Sequence, residues 1–228
     1  MFNNKNIDEL RKPVSQVLSL FALFMIFYSS ITLMSGLKYD DLPLHLKLTT
    51  FIELLIIVLC LLQFIRFINF DKDKNQNNKI YRRYSKFLLI VNILATWNTI
   101  FAFNNLFYFI AAKHNANVYD YWLFGFMSML ICFILGTVGA VLMTQRFNKI
   151  EKLIGVKVKT FIGILLIFLS QFIYIGKIIE YNLVPEVADS KYLILGSIAL
   201  IFAAKFINFT WVLKYSRLNI PNLKEESK

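Results

Sequence analysis

Three ionisable residues lie inside long apolar runs: Glu53, Lys177 and Lys205. Charge in hydrocarbon is costly, so each is a candidate for binding an ion or proton or for pairing inside a helix bundle. Glu53 shares a helical face with Cys60 and Gln63, which turns it inward. Lys177 shares a face with Gly163, Ser170 and Tyr174. At ~1.5 Å per residue, Glu53 comes about 7 Å below the start of its apolar run, a level Lys177 also reaches. That depth predicts a Glu53–Lys177 contact, with Glu180, one turn further on, as the competitor that would hold Lys177 at the surface. Lys205 is expected to snorkel towards headgroups. Amides form the other set. At ~100° per residue, Asn92, Ala95, Thr96, Asn98, Thr99, Ala102 and Asn105 occupy about half of one helix surface. Such a face either joins helices by amide hydrogen bonds or lines a polar cavity. Glu53, Lys177, Asn92, Asn98 and Asn105 together make the candidate polar site.

Other chemistry finds little support. A metal centre needs clustered His, Cys or carboxylates. His45 and His114 fall in separate loops of the sequence reading, and Cys60 and Cys132, both in mid-run, read as packing residues. No G-x-S-x-G or phosphate-binding loop occurs. Every Asp falls in an expected loop and no His falls in an apolar run, which removes the carboxylate and histidine sets of intramembrane proteases. No cofactor is expected, and the chain reads as a non-enzyme.

These residues must be positioned by membrane helices. The chain has 228 residues, 57% hydrophobic and only 17% charged. Its mean hydropathy is +0.58. A soluble domain carries about 25% charged residues. Six apolar runs reach the ~20 residues that cross a bilayer: 14–34, 48–65, 87–112, 121–143, 160–179 and 192–213. The expected fold is a single all-α membrane domain, a six-helix bundle over 1–228. In the first run Ser15, Ser19, Ala22 and Ser29 share a face suited to close packing. In the third, Ile90, Ile93, Leu94, Trp97, Ile100 and Phe101 lie opposite the amides and should meet lipid. In the fourth, Ser128, Cys132, Gly136 and Ala140 recur every four residues and should bury against a neighbouring helix, while Trp122 suits an interfacial belt. The spans contain no proline, which argues against a broken helix.

Charge sets the expected orientation. The segment 66–86, RFINFDKDKNQNNKIYRRYSK, holds seven Lys or Arg. The amino terminus, this loop, the loop after the fourth run and the carboxyl tail hold 3, 7, 5 and 4. The other three connections hold 2, 1 and 2, the last counting Lys177. By the positive-inside rule both termini and the 66–86 loop are cytoplasmic. The net charge of +11 alternates with the spans rather than lining one face, so its expected partner is the anionic inner leaflet and not nucleic acid. Abundant Phe, Ile, Asn, Lys and Tyr suggest an AT-rich bacterial genome and hence a plasma-membrane location. RFINF at 66–70 returns as KFINF at 205–209, but the flanks keep no fixed period, and chance repetition is the simpler account.

Two function classes follow. One is a non-enzymatic accessory or interaction subunit of a secretion or transport system, or an immunity protein, acting with a membrane-protein partner or as a homo-oligomer. The other is a small-solute transporter or membrane substrate-binding subunit with a cavity lined by the third span and Glu53. In span count and length the chain resembles the vitamin-binding subunits of energy-coupling-factor transporters, which would imply solute capture. In its first span, serines occupy the small positions where that family carries an alanine-spaced coupling motif.

Overall fold

In the computed structural model the apolar runs become helices, as buried or lipid-facing backbone requires when water cannot satisfy its polar groups. The structure describes residues 10–11, 14–34, 38–62, 78–114, 117–184 and 190–217. Among these, 91% of the chain is helical and no strand occurs. The helices are α1 (Val14–Met34), α2 (Leu44–Leu61), α3 (Asn78–Lys113), α4 (Tyr119–Thr144), α5 (Asn148–Ile154), α6 (Val156–Leu169), α7 (Phe172–Leu183) and α8 (Ser190–Ser216). Six helical segments are long and apolar enough to cross a membrane, with α6 and α7 counting as one. Residues 66–77 of the basic segment, with the RFINF motif, lie outside the described residues. Residues 78–86 are the first turns of α3 rather than loop.

The third apolar helix is the hub. It packs against α1, α2, α4 and α8. Of its apolar window 72% is buried, against 22–33% in the other five. This changes one expectation. Ile93, Trp97 and Ile100 do not face outward but are buried, in one core with Leu10, Met129, Ile201 and Trp211. Of the face expected to meet lipid, Ile90 is exposed, and Leu94 and Phe101 are half-buried. A helix with neighbours on most sides keeps little outward face, and its amides bond in the directions where those neighbours lie.

The close-packing faces have identifiable partners. Ser15, Ser19, Ala22 and Ser29 of α1 are all buried. From α3, Asn92 Nδ2 donates to Leu10 O at 2.9 Å and Thr99 Oγ1 to Leu18 O at 3.2 Å. On α4, Cys132 and Ala140 are buried, while Ser128 and Gly136 are half-buried. The tight crossing falls at Gly139 instead. A Cβ there would stand 2.8 Å from Gly163 O, and a Cβ on Gly163 would stand 2.8 Å from Gly139 O. At Gly136 a Cβ would meet only Ser170 Oγ, at an ordinary 3.8 Å. Two glycines facing each other let α4 and α6 touch backbone to backbone.

The connection between α4 and α6 is the short helix α5. Glu151 Oε1 caps its start by accepting from Phe147 N at 3.1 Å, and also takes the ammonium of Lys159. That hydrogen bond from Lys159, ahead of the one from Phe147, holds the Glu151 carboxyl below its usual range. Gly155, at φ 78°, makes the corner into α6, a conformation that side chains disfavour.

Candidate functional site

The polar residues collect where α2, α3, α4 and α7 meet. α2 begins at Leu44, four residues before the expected 48, which brings His45 into the helix. Glu53 is 3% exposed and Cys60, on the same face, is fully buried. Gln63 lies outside the described residues. Asn105 Nδ2 donates to Glu53 Oε1 at 2.7 Å and to Thr49 Oγ1 at 3.0 Å. Asn98 Nδ2 donates to the backbone carbonyl of Glu53 at 3.2 Å. Glu53 Oε2 is buried with no hydrogen-bond partner among the described residues.

The network continues into α4. Trp122, in the first turn of α4, is buried, and its Nε1 donates to Asn105 Oδ1 at 2.9 Å. An indole N–H needs an acceptor when buried, and Asn105 supplies it while its amide nitrogen serves Glu53. Asn104 Nδ2 donates to Trp122 O at 3.2 Å. The rings of Tyr108, Tyr119 and Trp122 surround His45, with the Trp122 centroid at 4.5 Å.

Lys177 does not reach Glu53. Its Nζ donates to Glu180 Oε2 at 2.7 Å, and both side chains are almost fully buried (2% and 1% exposed). Glu180 wins because it is on the same helix, three residues on, within one turn. The pair is not at the surface. It packs against Gly125 of α4, where a Cβ would stand 3.1 Å from Lys177 Nζ and 2.7 Å from Asn104 Oδ1. The absence of a side chain at Gly125 makes room for two charges and an amide. Spacing alone offers Glu180 as a partner for Lys177 but gives no signal for Asn104 or Gly125.

The second polar locus is the break between α6 and α7 at Ser170 and Gln171. Ser170 and Gln171 keep right-handed helical dihedrals (φ −63°, ψ −13° and φ −75°, ψ −20°). Gln171 N bonds to Phe168 O at 2.9 Å and Tyr174 N to Gln171 O at 3.0 Å, both three residues back. This tightening leaves the Ser170 carbonyl to side chains. It accepts from Lys205 Nζ at 3.1 Å and from Cys132 Sγ at 3.5 Å. Lys205 also donates to Gln171 Oε1 at 2.8 Å. Lys205 therefore binds the neighbouring helix and does not snorkel towards a helix end. The helical ladder is interrupted here without proline: Ser170 Oγ and Gln171 Nε2 bond back to Ile167 O, and Lys205 takes up the released Ser170 carbonyl.

Among the described residues no group of three or more His, Cys, Asp or Glu is placed to hold a metal ion. Cys60 and Cys132 are both free and buried. What the arrangement does chemically is hold charge inside apolar helices by pairing it or bonding it to amides. A family model described as "Domain of unknown function (DUF5079)" matches residues 4–228. The chain belongs to this family. No curated protein matches the chain and no solved structure matches it.

Asn105 is the joint of the first locus. Replacing it with Leu strands Trp122 Nε1 and Glu53 Oε1 inside the bundle. Each orphaned group costs about 1–3 kcal/mol. Thermal unfolding of Asn105→Leu in detergent should show a loss larger than that of Asn182→Leu, whose amide is exposed and bonds only within its own helix.

Proposed function

We propose that this DUF5079 chain is a multi-pass plasma-membrane protein of a bacterium, with both termini cytoplasmic, that works by association with other membrane components and not by catalysis. The fit is to an accessory subunit of a secretion or transport system, or to an immunity protein. The alternating basic segments support the orientation, and they would rest on the anionic inner leaflet.

One observation carries the choice of function class. The amides of the third span are engaged: Asn92 with α1's approach at Leu10, Asn98 and Asn105 with α2, Asn104 with α4. A face whose amide nitrogens are held in interhelical bonds acts as an adhesive, with Asn92 Oδ1 the one buried amide oxygen on it that has no hydrogen-bond partner among the described residues. A second reading, solute transport through a cavity lined by the third span and Glu53, is favoured by the unpartnered Glu53 Oε2. Ala102 separates the two. It is buried between Ala22, Met25, Ile26 and Ile57, and in sequence lies between Asn98 and Asn105. In a Cys60→Ala/Cys132→Ala background, Ala102→Cys should resist a charged, water-borne thiol reagent in intact vesicles. Rapid labelling would replace the association reading with the transport one.

A further inference from the structure

Lys205 carries an inference beyond the bundle. Its ammonium is level with Ser170, at the middle of the 28-residue Val156–Leu183 span, and Lys205 itself is near the middle of the 27-residue α8. It lies on the outside. Gln171, which it bonds, is exposed, and Phe168, Phe172, Phe202 and Phe206 are 55–70% exposed. Its recorded partners are neutral: the Ser170 carbonyl, the Gln171 amide and the Tyr174 ring, 5.0 Å away. Among the described residues no carboxylate pairs with it. A half-buried cation at the centre of a lipid-facing surface calls for an anion.

We propose that this face docks a transmembrane helix of a different membrane protein, one that brings an Asp or Glu to Lys205. Charge complementarity selects the partner. Among the described residues a second copy of the chain offers no carboxylate at mid-span: Glu53 and Glu180 are 3% and 2% exposed, Asp40 and Asp41 lie in the short turn before α2, and Asp120 and Glu151 lie in the first turns of α4 and α5. The proposal rests on the membrane reading above and names the chemistry of the partner it requires.

The test uses the full chain, donor-labelled, in vesicles of phosphatidylcholine and phosphatidylglycerol. The probes are acceptor-labelled synthetic leucine helices of about 20 residues with a central Asp, Leu or Lys. Energy transfer should show the Asp helix binding roughly tenfold tighter than the Leu helix, a modest difference for a charge paired in hydrocarbon. The Lys helix should be excluded. Lys205→Met should abolish the preference and Lys205→Arg keep it. Should Lys205→Met fail to fold, the wild-type ranking of the three probes decides alone. Equal binding of the three helices overturns the proposal. So does Lys205-dependent transfer between two labelled copies of the chain without a probe preference, which would assign the face to self-association. Extraction of the chain from the vesicles by alkaline carbonate would instead bring down the membrane reading, and this proposal with it.

Discussion

Lys177→Met should destabilise the protein by about 3–5 kcal/mol, the cost of leaving one member of a buried ion pair without its partner. The residue left behind is Glu180, 2% exposed and walled in at Gly125. The loss comes from the stranded carboxylate more than from the missing attraction. Removing both charges, as in Lys177→Met/Glu180→Leu, should therefore restore most of the stability. Unfolding in mixed micelles measures all three variants. A double mutant as unstable as the sum of its parts would mean that the two side chains are not paired.

Gly139→Leu should have the other large effect. A Cβ at Gly139 already stands 2.8 Å from Gly163 O and 3.0 Å from Ile167 N, both backbone atoms that cannot rotate away. The helices must separate, and overpacking of this kind costs about 1–3 kcal/mol or more. Gly139→Ala should lower the melting temperature as well, by less. Gly136→Ala, where the nearest atom is a serine hydroxyl at 3.8 Å, should leave it almost unchanged. The reverse order would place the contact between α4 and α6 at the other glycine.

Periodicity made much of this legible. The amide face of α3, the small-residue face of α1 and the inward turn of Glu53 all follow from ~100° per residue, a local property of one helix. Their partners do not follow from it. Which helix faces Asn105 depends on how six helices are arranged, and no single run encodes that. Depth alone matched Glu53 with Lys177; the arrangement gives Glu53 to Asn105 and leaves Lys177 with Glu180 on its own helix. Trp122 shows the same limit: its place near a run's end suits an interfacial ring, and the run alone does not show that the Asn105 amide oxygen accepts its indole N–H. The break in the ladder at Ser170 has no mark in the run. Proline is the usual sign of an interrupted helix, and here a lysine on α8 takes the released carbonyl from far along the chain. The four-residue ladder on α4 identified the right helix but not its contact, since Gly139 lies outside that spacing and meets Gly163.

Everything proposed about partners depends on six crossings with both ends inside, and reporter fusions test that most directly. A reporter active only in the cytoplasm, fused after Asn78 or after Lys228, should give signal, and fused after Asn115 it should be silent. Silence at Asn78 with signal at Asn115 would invert the orientation and contradict the account, because the 66–86 segment around Asn78 holds more Lys and Arg than any other connection in the chain.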